Sequence, residues 1–159
     1  MKPIIAVIGG GTATKDELTL AQETGRLLAA RGAIVVCGGL GGVMEAAAKG
    51  AKSNGGVTVG ILPGTDAAAA NEYIDVPLAT GLGEMRNLLI VRVAQALIAI
   101  GGGIGTLSEI AMAQRTERPV IGLHDSFRNA IDMPRASSAE EAVAWALERA
   151  QEAGGIITS

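Results

Sequence analysis

Three glycine clusters have the residue pattern of loops that bind phosphate. They are Gly9-Gly10-Gly11-Thr12, Gly38 to Gly42, and Gly101 to Thr106. Each follows a short apolar run and precedes a stretch with helical periodicity, so each is predicted at the carboxyl end of a strand and the N-terminus of a helix. Unpaired backbone N–H groups and the positive helix end attract an anion there. A single cluster also serves tight packing, but three on one sheet edge favour a phosphate-bearing ligand.

Two common nucleotide-binding signatures do not fit these clusters. A dinucleotide-binding unit places an acidic residue at the end of its second strand to hold the ribose hydroxyls, and Cys37, Gly38 and Gly39 occupy that place. Thr14 stands where the third glycine of the fingerprint belongs. A Walker A loop is excluded because no cluster is followed by Lys-Ser or Lys-Thr. The ligand is therefore not expected to be NAD or a P-loop nucleotide.

Glu109 is a candidate for acid–base chemistry. It lies in the first turn of the helix predicted after the third cluster, where a carboxylate beside a bound phosphate–ribose could act as general acid or base or stabilise developing positive charge. A structural role is also open, because Thr106-x-x-Glu109 has the form of a helix capping box. Two other pairs in the chain share this form, Thr14-x-x-Glu17 and Ser138-x-x-Glu141.

Arg86 is a candidate for binding an anion. It begins a helix that is otherwise very apolar, so its charge needs a partner, which could be Glu84 or the ligand. The other reactive side chains favour structural roles. His124 and Asp125 follow a predicted strand and are interpreted as solvated loop residues, and Cys37 is interpreted as a small buried hydrophobe.

The composition is typical of an α/β protein of one domain. The 159 residues are 48% hydrophobic and only 2% aromatic, with 23 glycines, so the core must consist of Ala, Val, Ile and Leu. The formal net charge of −3 and the few aromatic side chains argue against nucleic acid as a partner. One cysteine and one histidine cannot supply a metal cluster, and no apolar run is long enough for a membrane. The N-terminus lacks a signal-peptide pattern, which predicts a cytoplasmic protein.

Short β-branched runs alternate with longer Ala-rich stretches, as expected for buried parallel strands joined by helices. The predicted strands are Ile4 to Ile8, Ile34 to Cys37, Val57 to Leu62, Tyr73 to Val76, Ala96 to Ile100 and Val120 to Leu123. The predicted helices are Lys15 to Arg31, Val43 to Ser53, Glu84 to Ala94, Thr106 to Arg115 and Ser138 to Glu152. Residues 1–159 are thus predicted to form one Rossmann-like, doubly wound α/β domain with six or seven parallel strands and helices on both faces.

The helix predicted around Arg86 to Ala94 has only a narrow polar stripe. A helix on the outside of a sheet normally keeps one solvated face. An almost wholly apolar helix is expected to be buried on a second side, which in a small chain indicates a contact between subunits. The sequence therefore predicts a homodimer or homotetramer that associates through this helix.

Several of these motifs together resemble a known superfamily. The segment Gly83 to Asn87, followed by Gly101 to Glu109, resembles the paired arginine and GGxGTxxE motifs of the Lonely Guy superfamily. The segment Gly38 to Glu45 is similar to its second glycine loop, and the likeness extends from the first strand to about Leu123. Arg86-Asn87, and a glycine where the hydrolase motif begins with proline, look most like the branch that contains the molybdenum cofactor carrier proteins.

The resemblance implies two alternative functions. Members of the hydrolase branch remove the base from a cytokinin-type nucleoside 5'-monophosphate, and the arginine and glutamate that carry this chemistry match Arg86 and Glu109. Asn87 replaces the usual lysine and Gly101 the usual proline, which weighs against hydrolysis. Members of the carrier branch bind molybdopterin through the same glycine edge, as dimers or tetramers. The superfamily's former description as lysine decarboxylases is not supported, since no lysine is predicted in the pocket to hold pyridoxal phosphate.

The predicted function is binding of a phosphate-bearing ligand, either a pterin such as the molybdenum cofactor or a nucleoside monophosphate. Phosphoribohydrolase activity, with Arg86 and Glu109 as catalytic residues, is the alternative. DNA-processing protein A is similar in fold, but the acidic charge disfavours DNA binding. The predicted ligand-binding residues are Gly10, Gly11, Thr12, Gly39, Gly41, Gly42, Glu45, Arg86, Asn87, Gly102, Gly103, Gly105 and Thr106.

Overall fold

Seven short strands form one parallel sheet in the computed structural model, which describes residues 1–154. The strands are β1 (Ile4–Gly9), β2 (Ile34–Cys37), β3 (Thr58–Leu62), β4 (Val76–Ala79), β5 (Ala96–Gly101), β6 (Val120–Asp125) and β7 (Arg135–Ala136). Their order across the sheet is β4-β3-β2-β1-β5-β6-β7, and each neighbouring pair is parallel. The central strands β1 and β5 are buried on both sides, which accounts for their unbroken apolar runs.

Helices cover both faces of the sheet, as the doubly wound prediction requires. They are α1 (Lys15–Ala30), α2 (Val43–Ser53), α3 (Arg86–Val93), α4 (Ile104–Arg115) and α5 (Ala139–Gly154). One core contains side chains of α1, α2 and α5, and a second core on the opposite face contains side chains of α3 and α4. No helix within residues 1–154 has both the length and the apolar character needed to cross a membrane.

The helices α1 and α2 pack backbone against backbone. A Cβ atom on Gly25 would lie 1.9 Å from the carbonyl oxygen of Ala47, and one on Gly50 would lie 1.8 Å from that of Gln22. No side chain other than hydrogen fits at either position without separating the helices. This close contact fixes the position of α2 relative to α1.

The strand order reverses direction beside β1. The chain adds β2, β3 and β4 on one side of β1 and then returns to add β5, β6 and β7 on the other side. Connections on the two sides leave in opposite directions, so a crevice opens at the carboxyl ends of β1 and β5. The three glycine clusters follow β1, β2 and β5, and the topology therefore brings them to this crevice.

Two parts of the sheet differ from the prediction. The fourth strand is Val76–Ala79 rather than Tyr73 to Val76, because the hydroxyl of Thr58 donates to the carbonyl of Tyr73 and the N–H of Asp75 donates back to that hydroxyl, which makes a turn there. The strand β7 was not predicted. It forms where Arg135 pairs with Asp125 of β6, with 3.0 Å between Nε and Oδ1.

Candidate functional site

A cleft of about 350 Å³ opens at the carboxyl ends of β1 and β2 and the start of α4. Nine of the residues predicted from the sequence line it: Gly10, Gly11, Thr12, Arg86, Asn87, Gly103, Gly105, Thr106 and Glu109. The size is suited to part of a small phosphorylated molecule. The topology thus gathers residues that are up to 99 positions apart in the chain, from Gly10 to Glu109, into one site.

Two of the three helices that follow the glycine clusters begin without a side-chain cap. The helix α1 is capped by its own Thr14, whose side chain accepts from the N–H of Glu17 in the predicted capping box. The helices α2 and α4 begin after Gly42 and Gly103, which have no side chain to cap them. The first turn of α4 therefore lies at the cleft, beside Gly103 and Gly105, without a side-chain cap, an arrangement that suits an anion.

The capping box predicted at Thr106 and Glu109 is absent. The helix α4 begins at Ile104, two residues before the predicted start, so Thr106 lies inside the first turn and Gly103 takes the capping position. The side chain of Thr106 instead packs over Gly102, whose added Cβ would lie 2.6 Å from the Thr106 Cβ. Glu109 is therefore free of the structural role that its spacing allowed.

Five predicted ligand-binding residues do not line the cleft. They are Gly39, Gly41, Gly42, Glu45 and Gly102. The second glycine loop packs against the first one. The N–H of Val43 donates to the Gly10 carbonyl at 3.0 Å, and a Cβ on Gly42 would lie 2.2 Å from that same oxygen.

The carbonyl of Gly39 faces away from the cleft. It accepts from the Asn71 N–H at 2.9 Å and ties the loop to the segment before β4. Sequence reasoning missed Met44, which lines the cleft together with Gly38. Met44 follows the glycine loop closely, but nothing in its residue type signalled a ligand.

Arg86 is the only basic side chain that lines the cleft in the described chain, and it is only 8% exposed. Its Nε donates to the carbonyl of Ile61 at 2.8 Å, and Nη1 donates to the side-chain oxygen of Asn87. Within residues 1–154 no carboxylate lies within 4.0 Å of its guanidinium, so Glu84, at the exposed rim, is not its ion-pair partner. Nη2 faces Gly38 at the wall of the cleft and keeps its donors available for an anion.

Glu109 lies in the same cleft and is 6% exposed. Burial raises its pKa to about 8; the nearby positive charge of Arg86 lowers it, and Glu84 raises it further. At neutral pH most of this carboxyl group is protonated. A neutral carboxyl group does not repel a phosphate, and it can donate one hydrogen bond or act as a general acid.

Comparison with known proteins shows the family of this chain. The profile of the SLOG cluster4 family matches residues 2–153. The chain belongs to the SLOG cluster4 family. An uncharacterized protein of Archaeoglobus fulgidus is 46% identical over 119 residues, which are 75% of this chain and 78% of that protein.

Two similar solved structures are of proteins named for the molybdenum cofactor. The molybdenum cofactor binding protein of Rippkaea orientalis is 37% identical, with 99% of each chain covered and a TM-score of 0.85. The molybdenum cofactor carrier protein of Chlamydomonas reinhardtii is 35% identical, with 94% of this chain and 98% of that chain covered and a TM-score of 0.86. They confirm the predicted fold class and the predicted likeness to the carrier branch.

Three other side chains considered in the sequence of this SLOG cluster4 chain lie outside the cleft: Cys37, Asp125 and His124. Cys37 is fully buried beneath the second glycine loop, and burial raises the pKa of its thiol to about 11, so it stays a neutral hydrophobe. The interpretation of Asp125 as a solvated loop residue is wrong, because it lies in β6 with its side chain buried and accepts two hydrogen bonds from Arg135. Arg135 also donates to three carbonyls of the loop before β7. His124 is exposed at a positive φ of 54°.

The buried carboxyl group of Glu109 predicts a measurable pH dependence of stability. Its pKa of about 8 lies above the ordinary value of 4.5, so the folded state binds the extra proton and unfolding becomes easier as pH rises from about 5 to 8. Glu109→Gln removes this titration. Between pH 5.5 and pH 8.5, we expect the free energy of unfolding of the variant to rise by about 3 kcal/mol relative to that of the parent. Urea unfolding at the two pH values measures this change. The control is Glu148→Gln, on the exposed side of α5. If the free energy of unfolding depends on pH equally in Glu109→Gln and in the parent, Glu109 is not a buried uncharged carboxyl group.

Proposed function

We propose that this protein binds the molybdenum cofactor in the cleft and carries it without altering it. The cofactor is a pterin with a phosphate group, and the observation that carries the proposal is the buried guanidinium of Arg86, which faces the cleft and has no carboxylate partner in the described residues. A buried charge of this kind calls for an anion to pair with it. The family membership and the two cofactor-binding neighbours support the choice of ligand.

The phosphate would be held by groups of two kinds. Arg86 supplies charge and a planar pair of donors, and the first N–H groups of α4 near Gly105 and Thr106 supply neutral donors from a second direction. Within residues 1–154 no group of three or more His, Cys, Asp or Glu could hold a metal ion. In this proposal the molybdenum is cargo that stays on the sulfur atoms of the cofactor itself, and the protein binds the organic part.

The test is direct binding of the intact cofactor. Cofactor released anaerobically from a molybdenum enzyme is mixed with the purified protein, and free cofactor is removed by gel filtration. We expect molybdenum and pterin to elute with the protein in equal amounts. Elution of the protein with neither would overturn the proposal, and bovine serum albumin controls for adsorption.

Hydrolysis of a nucleoside 5'-monophosphate is the second candidate, and Glu109 is the observation that favours it. A buried carboxyl group with a pKa of about 8, beside the cationic Arg86, is suited to protonate a leaving base. The assay is release of ribose 5-phosphate and base from a panel of nucleoside monophosphates. Release that is lost in Glu109→Ala would establish this activity, and no release from the folded protein would leave the cleft as a binding site.

We also propose that α3 forms a contact between two copies of the chain. Its inner side buries Ile90 and Val91, whereas Leu88 and Val93 are exposed, as is Met85 just before the helix. An exposed apolar face of this kind is typical of a surface covered by a partner. The mass of the assembly in solution tests whether this face is covered.

A charge in the middle of this surface is expected to dissociate the oligomer. Leu88→Glu would place a carboxylate in an apolar interface, so we expect monomers at micromolar concentration where the parent is a dimer or tetramer, as measured by light scattering. Leu18→Glu on α1 is a matched control, because both leucines are 37% exposed. A monomeric parent, or no change of mass in Leu88→Glu, would contradict the contact.

A further inference from the structure

A second cavity adjoins the cleft. It has a volume of about 410 Å³, and Thr12 and Gly103 line both spaces, so the two spaces are neighbours. Beyond the shared residues it is lined by Ala13, Thr14, Glu17, Gly102 and Ser126. Among the residues that the structure describes, the second cavity therefore carries the carboxylate of Glu17 and no basic side chain, whereas the cleft carries the guanidinium of Arg86 together with Glu84 and Glu109.

The carboxylate of Glu17 is held in place from two directions. Its Oε2 accepts from the N–H of Thr14 at 3.0 Å, which is one half of the capping box of α1. From the other side the backbone of Gly101 covers it, since a Cβ on Gly101 would lie 2.5 Å from the carboxyl carbon. Gly101 has a φ of 56°, a conformation that glycine adopts without strain.

The second carboxylate oxygen of Glu17 remains available. In the described part of the chain, no donor is hydrogen-bonded to Oε1 and no basic group lies within 4.0 Å of the carboxylate. A fixed carboxylate with free lone pairs accepts hydrogen bonds and repels phosphate. A ligand that spans both cavities must therefore place its phosphate at the Arg86 end and a group rich in N–H donors at the Glu17 end.

The ring edge that best fits an acceptor of this kind is the 2-amino-4-oxopyrimidine edge, which presents an amino group beside a ring N–H. This edge is common to pterins and guanine and is absent from adenine and hypoxanthine. We infer that Glu17 selects ligands that carry the 2-amino-4-oxopyrimidine edge, by accepting hydrogen bonds from it in the second cavity. The inference rests on the proposed binding of a phosphorylated pterin and adds the residue that recognises the ring.

Glu17→Gln separates this role from the role in the helix cap. Glutamine serves in a capping box as well as glutamate does, because its side-chain oxygen can accept from the Thr14 N–H. The substitution then presents an NH₂ group, a donor, where the free acceptor was. The melting temperature of the variant should match that of the parent, while recognition of the ring edge should change.

The experiment compares four probes by isothermal titration calorimetry on the full chain. Neopterin monophosphate and GMP carry the ring edge, IMP differs from GMP by the missing amino group, and inorganic phosphate reports on the Arg86 end alone. We expect the parent to bind both amino-bearing probes about 10- to 100-fold more tightly than IMP. This ratio corresponds to the usual contribution of a hydrogen bond to a charged group. The pterin and guanine probes show which ring the second cavity accepts better.

Glu17→Gln is expected to bind GMP and IMP with equal affinity and to keep the parent's affinity for phosphate. Asp16→Asn removes the same charge one residue away, outside both cavities, and is expected to keep the preference of the parent. A GMP-to-IMP ratio that is unchanged in Glu17→Gln, or near one in the parent, would overturn the inference alone. A parent that binds neither neopterin monophosphate nor the molybdenum cofactor would overturn the proposed function itself.

Discussion

Replacement of Arg86 by glutamine is expected to weaken binding of neopterin monophosphate by about 100-fold or more, because two charge-assisted hydrogen bonds in a dry site are lost together. The side chain is buried, its Nε is fixed on the carbonyl of Ile61, and its remaining donors face the cleft. Within residues 1–154 no other basic side chain lines the cleft, so none can replace Arg86. Calorimetric titration of parent and variant measures the change.

Two further variants make this result specific. Arg86→Lys keeps the charge but loses the planar fork and the fixed Nε contact, so we expect an intermediate loss of about tenfold. Arg92→Gln removes an exposed arginine from the same helix and is expected to bind like the parent. If Arg86→Gln folds, as judged by its circular dichroism spectrum, and binds as tightly as the parent, the phosphate does not lie at Arg86.

Replacement of Gly42 by alanine is expected to destabilise the fold by about 2–5 kcal/mol and to abolish ligand binding. Gly42 has φ 64° and ψ −131°, a conformation in which a side chain is strained. The added Cβ would also lie 2.2 Å from the carbonyl oxygen of Gly10. Because the first glycine loop of the cleft is held by the hydrogen bond from Val43 to this oxygen, the loop must move.

Gly41 provides the matched control for this substitution. It is the adjacent glycine in the same loop, and a Cβ there would lie 3.7 Å from the Gly11 carbonyl oxygen, an ordinary contact. Urea unfolding and binding of inorganic phosphate are measured for both variants. Gly41→Ala is expected to change stability by less than about 1 kcal/mol. Equal stability of the two variants would contradict the interlocking of the two loops.

The elements with strong local signals were predictable. The strand Ile34–Cys37 and the helix Val43–Ser53 have the predicted bounds, because a β-branched run, a glycine loop and an amphipathic stretch follow one another directly. The capping box that starts α1 was also recognised, since both partners lie within four residues of each other. The cleft could be located because parallel strands of a doubly wound sheet bring their carboxyl ends to a single edge.

Features that depend on contacts between distant residues were not predictable. The turn that displaces β4 is made by Thr58 with residues 15 and 17 positions later. The strand β7 begins at Arg135, which forms an ion pair with Asp125 of the neighbouring strand β6. The same limit applies to the second glycine loop. Its glycines were predicted to bind the ligand, and the sequence did not reveal that Gly42 contacts another loop or that the Gly39 carbonyl accepts from Asn71.

The carboxylates show why spacing does not establish a role. Thr14 with Glu17 and Thr106 with Glu109 have identical spacing, yet only the first pair forms a capping box. The difference lies in where each helix begins, and α4 begins at Ile104 after a glycine that lacks any capping side chain. Glu109 is thereby left in the cleft as a buried acid, a situation that depends on three-dimensional burial rather than on the local sequence.

Delivery of intact cofactor tests the central claim most directly. The protein is loaded with molybdenum cofactor, freed of excess by gel filtration, and mixed with a molybdenum enzyme that lacks its cofactor. We expect enzyme activity to appear in proportion to the loaded protein, with the parent and Glu109→Gln alike and Arg86→Gln inactive. Failure of the parent to retain and deliver the cofactor, together with release of ribose 5-phosphate from a nucleoside monophosphate, would contradict the carrier function and establish the hydrolase.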